Sequence, residues 1–452
     1  MEEVLRAIWN EPDGTGEAWE KAFDPLMAFV YCIRCFYCFR ISAVVVLQGN
    51  MPEEDFLQRL ARSQDSVAAL VARSPEDQQR LGYFHTLREV CQQPVTWVRT
   101  AEFMVESAPS LQRCVKGICG ITLTGSGSSE FAGDCVRLAL QRELGVNVQA
   151  VAGGAILTQG SHALPVGRPA LMVSLARSGD SPESVGALAL MLKLEPELRH
   201  LVLTCNQRGS LANTFRDDPR VGVIALDDRT NDRSLVMTSS FTNLVLGARF
   251  LGLLREPGRY QAMVAGLADG AGTLLETRFD VLAQAAKSPF RRVLYLGSGG
   301  RFAAAREAAL KMLEMTAGRV MTSCETYLGL RHGPMSAVHD DTLIVGFLSS
   351  EPRLRAYEAD VLQELAQKRL GLFRVIAGER VPEELLGDKD VAVPYEAAQV
   401  LEDDNLPVLD VMVGQILALI RCLAEGLQPD SPSATGVIQR VVQSFPLHFP
   451  KA

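Results

Sequence analysis

Short apolar runs alternate along the chain with longer stretches whose apolar residues recur every three to four positions. ITLTG (121–125), PALMVSL (169–175), LVLTC (201–205), VLYLG (293–297) and LIVGF (343–347) are β-compatible. DCVRLALQREL (134–144) and AAAREAALKMLEMTAG (303–318) keep the period of an amphipathic helix. Such alternation predicts an α/β fold of parallel sheets flanked by helices, with ligands outside the carboxyl ends of the strands. Residues 255–292 read as a helical connector with a Pro-Gly turn at its head, and an amphipathic helix starts just after Met51. The expected organisation is an N-terminal helical extension (1–81), a first lobe (82–255), the connector (256–291), and a second lobe with a C-terminal tail (292–452).

The two lobes are copies. Both GSG turns follow a β-run and open a helix, and Gly125 and Gly297 are 172 residues apart. The same step carries Leu171 to Leu343 and Val202 to Arg374. A constant offset over this length predicts a repeated βαβ-type unit.

The copies differ in their chemistry. Behind PALMVSL the first lobe has RSGDSPES (177–184), where Ser181 reads as an N-cap and Pro182 as the first helical position. An ordinary capped turn has this pattern. So does a phosphate cradle, made of unpaired backbone N–H groups, the hydroxyls of Ser178 and Ser181, and the freedom of Gly179. The GSGSS turn adds Ser126, Ser128 and Ser129. The second lobe reads SSEPR at the matching loop and carries acids, a lysine and a histidine instead.

Glu307, Lys311 and Glu314 fall at i, i+4 and i+7, on one face of a mostly apolar helix. A solvated Glu-Lys pair has the same spacing. Charge on an apolar helix needs a partner or a task, and a carboxylate near a bound sugar phosphate can move a proton between adjacent carbons. His332, beside Arg331 and ahead of Gly333-Pro334, stands on a turn that would fix an imidazole.

Composition narrows the reading. A 452-residue chain that is 47% hydrophobic and 22% charged is ordinary globular material. Its net charge of −8 argues against a general nucleic-acid binder. The most apolar stretch, 26–48, is interrupted by Arg34 and Arg40. A central Arg costs about 2.5–3.5 kcal/mol on insertion, so no membrane span is expected. A buried hairpin or helix fits the stretch, and a further reading makes residues 1–50 an upstream addition to a chain that starts at Met51. Of ten cysteines only Cys32, Cys35 and Cys38 cluster, and the fourth ligand of an iron–sulfur site does not follow. No metal is expected, and unpaired thiols point to the cytoplasm.

GSGSS…RSGDSPES resembles the sugar isomerase (SIS) domain. The tandem pair with LGSGG…AAREAALKMLEMTAG…GLRHGP is similar to the tagatose-6-phosphate ketose/aldose isomerase family, which includes galactosamine-6-phosphate deaminase/isomerases. HTLREVCQQPVTW (85–97), TCN (204–206), MTSSFT (237–242) and residues 426–443 fit it too, over about 82–447. The resemblance implies two tandem SIS lobes and a hexose 6-phosphate held by Ser129, Ser178 and Ser181, with Ser126, Ser128 and Gly179 lining the cradle. By similarity to the glucosamine-6-phosphate synthase isomerase domain, Glu314 is the base between carbons 1 and 2. His332 assists ring opening from a neighbouring subunit, which implies a homo-oligomer, and Glu307 and Lys311 support the site. No cofactor is implied.

Three departures stand out. Met1-Glu2-Glu3 offers no catalytic cysteine, so glutamine hydrolysis is not expected, and IQRVVQSF lacks the synthase's Schiff-base lysine. Met335 replaces the lysine of the usual GFRHGPKS. A plain isomerase, a sugar-phosphate sensor and a fructosamine 6-phosphate deglycase share the cradle; a sensor needs neither Glu314 nor His332.

Overall fold

The computed structural model describes residues 53–397, 401–433, 435–443 and 445–449. The cysteine run at 32–38, the apolar stretch 26–48 and the start at Met51 lie outside them. Helices α1 (Glu53–Ala61), α2 (Asp65–Val71), α3 (Pro75–Arg80), α4 (Phe84–Cys91), α5 (Gln93–Glu106) and α6 (Ala108–Val115) lead into the first sheet.

The first lobe then runs β1 (Gly120–Gly125), α7 (Ser128–Leu144), β2 (Asn147–Ala152), α8 (Gly153–Gln159), β3 (Leu171–Ala176), α9 (Pro182–Leu194), β4 (Arg199–Thr204), α10 (Ser210–Phe215) and β5 (Val221–Ala225). Helix α11 (Ser239–Arg249) and the 31-residue α12 (Pro257–Lys287) connect it to the second. That lobe comprises β6 (Arg292–Gly297), α13 (Gly300–Met315), β7 (Met321–Thr326), α14 (Tyr327–Leu330), β8 (Thr342–Phe347), α15 (Pro352–Gln367), β9 (Phe373–Gly378), β10 (Val391–Pro394) and α16 (Pro407–Ala424).

Both sheets are parallel and share one topology, β2-β1-β3-β4-β5 and β7-β6-β8-β9-β10. Register shows the repeat residue by residue. Ile121 pairs with Leu171, and 172 positions on Val293 pairs with Leu343. The offset breaks at the next strand, because Ser174 pairs with Val202 whereas Gly346 pairs with Ile376. Val202 therefore corresponds to Ile376, not to Arg374 as the constant step predicts. The intervening α15 has 16 residues against 13 in α9, which more than offsets its shorter entry loop.

The two glycine turns are the same turn. Gly127 and Gly299 have φ of +56° and +57°, a conformation that favours glycine. A Cβ on Gly125 or Gly297 would run into the backbone of Ser129 or Arg301, so each turn needs a bare backbone there. The helices that follow, α7 and α13, pack against each other. Their equivalent positions meet at the contact: Arg306 Nη1 lies 3.2 Å from Asp134 Oδ2, with 172 residues between them.

The lobes share one hydrophobic core, which includes Trp97, Leu123, Phe241, Phe279, Tyr295 and Met412. Through it runs α16, whose close approach to α13 needs Gly414: a Cβ there would lie 2.5 Å from Ala308 Cβ. Among the described residues only α16 is long and apolar enough to cross a membrane, and it is buried in this core.

Candidate active site

The cradle forms where the carboxyl ends of β1 and β3 meet the starts of α7 and α9. One cavity there is lined by Ser126, Ser129, Arg177, Ser178, Gly179, Ser181, Glu183, Met237 and Arg440. Five of the six proposed phosphate residues thus come together. Gly179 takes φ +71°, and its N–H neighbour Asp180 donates to Ser178 Oγ at 3.2 Å. Two contacts brace the loop from below. Asn206, of the TCN motif, donates to Ser178 O at 2.9 Å, and Asp180 Oδ1 accepts from Ser210 N and Oγ, each at 2.8 Å.

Ser181 is the N-cap residue of α9 in position but not in bonding. Its hydroxyl donates to Ser184 Oγ at 2.8 Å instead of capping the helix. Ser126 Oγ is buried without a hydrogen-bond partner, which is uncommon for a hydroxyl. Oε2 of Glu183 is likewise buried and unpartnered, an acceptor suited to a hydroxyl and opposed to an anion.

Arg177 was missed in the sequence, though it directly precedes Ser178. Its guanidinium is buried and spans three carbonyls: Leu235 O at 2.8 Å, Ser234 O at 3.3 Å and Arg440 O at 2.5 Å. Burial pulls its pKa down, against the pull of Asp232. Arg440, in the very tail notable for lacking a lysine, is the second cation of the cavity. It donates to Asp232 O at 2.7 Å and Asn231 Oδ1 at 2.6 Å.

Ser128 belongs to another set. It leaves the cradle lining and receives a hydrogen bond from Lys311 Nζ at 3.1 Å. Lys311 is buried and also lies 3.2 Å from Glu307 Oε1 and 2.5 Å from Glu314 Oε2. The i, i+4, i+7 face is therefore a buried charge relay, not a solvated stripe. Burial pushes Glu307 up to about 7, while Lys311 opposes the rise and Glu314 adds to it. Burial alone would lower Lys311; the two carboxylates outweigh it and hold the ammonium charged.

Glu314 retains 24% side-chain exposure, the accessible end of this relay. It opens into a cavity with Leu310, Leu313, Arg319 and the tail residues Pro432, Ser433, Thr435, Val437 and Ile438. The same tail supplies Arg440, Val441 and Val442 to the cradle. Serine cradle and carboxylate thus lie under one strap, joined through the adjacent residues Ser129 and Ser128.

His332 stays apart. It is exposed between α14 and the Pro334–Ala337 turn, where Gly333 has φ +124°, and it lines neither cavity. Within one chain the structure does not bring it to Glu314. Near it, Lys368, just after α15, lies with Nζ 3.5 Å from Met335 Sδ and 2.6 Å from Glu364 Oε1. Among the described residues no cluster of His, Cys, Asp and Glu could hold a metal, and no described cysteine forms a disulfide.

Comparison with known proteins decides the family. No family model matches the chain. The D-galactosamine-6-phosphate deaminase AgaS of Shewanella sp. strain ANA-3 is 34% identical over 380 residues, 82% of this chain and 93% of that protein. That of Escherichia coli is 32% identical over 369 residues, 80% and 95% of the two chains. The chain belongs to the AgaS family. The crystal structure of tagatose-6-phosphate ketose/aldose isomerase from Escherichia coli superposes with a TM-score of 0.72 at 30% identity, over 78% of this chain and 96% of that one. The tandem SIS architecture is shared more widely. The C-terminal domain of a glucosamine-fructose-6-phosphate aminotransferase from Francisella tularensis has the same fold at 17% identity and TM-score 0.65. The chain is thus an enzyme of the amino-sugar-phosphate isomerase and deaminase type.

Proposed function

We propose that this AgaS-family chain converts galactosamine 6-phosphate to tagatose 6-phosphate and ammonia in the cytoplasm. The observation that carries the reading is the pairing of a serine cradle, in which Ser126 Oγ has no partner, with an accessible carboxylate held by a buried lysine. Ser126, Ser129, Ser178 and Ser181, with Arg177 and Arg440 behind them, supply donors and positive charge for a phosphate. Lys311 Nζ, 2.5 Å from Glu314 Oε2, holds that carboxylate in place at the edge of its cavity.

In the open-chain sugar, Glu314 takes the proton from C2 while O1 is polarised, leaving an enolamine. The proton returns at C1 and gives the C2 imine of the ketose. Water adds to C2, nitrogen leaves as ammonia, and the ketone remains; atoms balance with one water consumed. His332 acts from a neighbouring subunit to open the ring, so the working form is an oligomer. No metal or organic cofactor enters these steps. Ammonia and ketose 6-phosphate appearing together from galactosamine 6-phosphate would support the reading; sugar-phosphate binding without ammonia would oppose it.

A further inference from the structure

The second lobe places a shorter serine loop where the first lobe has its cradle, and the chain itself occupies it. Register sets the equivalence. From the strand side Ser178 matches Ser350, and from the helix side Ser181 matches Glu351, each directly before the proline that opens its helix. Gly179 and Asp180 have no counterpart. Through the glycine turns Ser126 matches Ser298, and Ser129 matches Arg301.

Asp403 sits on these donors. Its Oδ1 accepts from Ser350 N and Ser350 Oγ, each at 2.8 Å, and its other oxygen accepts from Ser349 Oγ. Arg301 Nη1 lies 3.7 Å from Oδ1. That guanidinium is 3% exposed and is fixed by Asp410 at 2.6 and 2.7 Å. A second carboxyl, Glu358, takes Ser349 N at 2.7 Å and bonds Ser298. Backbone N–H, two hydroxyls and a buried cation converging on one carboxylate are the elements of an oxyanion site. Against burial, Arg301 and the serines keep Asp403 below its usual carboxylate range.

We propose that the second lobe holds a built oxyanion cradle whose resident occupant is Asp403, and that a phosphate group binds there once this carboxylate is removed. The native chain accordingly takes a single sugar phosphate, in its first lobe. This inference stands independently of the reaction proposed above.

The test uses the full chain with Ser129→Ala and Ser178→Ala, which weaken the first cradle, and inorganic phosphate as probe. Adding Asp403→Ser is expected to tighten phosphate binding by calorimetry at least about tenfold over that parent, and to make the melting temperature rise with phosphate. Asp403→Glu, which keeps a carboxylate in place, should gain neither. A folded Asp403→Ser chain with unchanged phosphate affinity and no phosphate-dependent melting shift overturns the proposal. So does an Asp403→Ser chain that fails to fold even in phosphate, because the external anion should then replace the lost carboxylate.

Discussion

Lys311 Nζ lies 3.1 Å from Ser128 Oγ, and the two residues belong to different lobes. Ser128 opens α7 beside Ser129 of the cradle, while Lys311 holds Glu307 and Glu314 on α13. On the proposed assignment, this contact would couple the lobe that takes the phosphate to the lobe that supplies the base.

Separation of roles follows for Glu314. Glu314→Gln keeps the side chain's shape and removes the base, so kcat should fall about 10²–10⁴-fold while sugar-phosphate affinity persists. Steady-state rates beside calorimetric binding check both halves. An unchanged rate would reassign the base.

Ser178→Ala should act in the opposite way. One lost hydrogen bond to a charged group is worth about 1.5–3 kcal/mol, a roughly ten- to hundredfold weaker substrate affinity. The loop itself keeps its bracing by Asn206 and Asp180, so its melting temperature should hardly move.

The position of His332 makes a prediction about assembly. If a neighbouring chain supplies it, mixing inactive His332→Ala chains with inactive Glu314→Gln chains should restore a fraction of activity, since mixed oligomers contain one intact site. Mixtures as inactive as their components would place ring opening elsewhere.

Stability should depend on pH in a defined window. Burial pushes Glu307 and Glu358 up to about 7, and burial together with Asp232 pushes Glu89 up to about 8. Unfolded carboxyls are already ionised above pH 6, so the folded chain binds more protons there, and raising pH through 7 to 8 lowers stability. His200, depressed to about 4 by burial, acts the other way only below its unfolded value of about 6.5. Melting temperature should therefore fall between pH 6.5 and 8.5, and Glu89→Gln should flatten that slope.

Much of this was legible in the sequence because it is local. The two strand-glycine-helix turns, the serine loop and the acid-lysine face are each contained within about twenty residues. What was not legible depended on distance along the chain. Arg440 reaches the cradle from more than 200 residues beyond Asn231, which holds it. Ser128 shares its turn with Ser129 but faces the other lobe, a difference of one helical position that spacing alone does not assign. The repeat offset failed at Val202 because α15 outgrew its counterpart between matched strands.

The most direct measurement is ammonia release together with ketose 6-phosphate formation, from galactosamine 6-phosphate and from glucosamine 6-phosphate, by the full chain. One ammonia per tagatose 6-phosphate formed is expected, with galactosamine 6-phosphate the better substrate. Binding of either sugar phosphate with no ammonia released would contradict it.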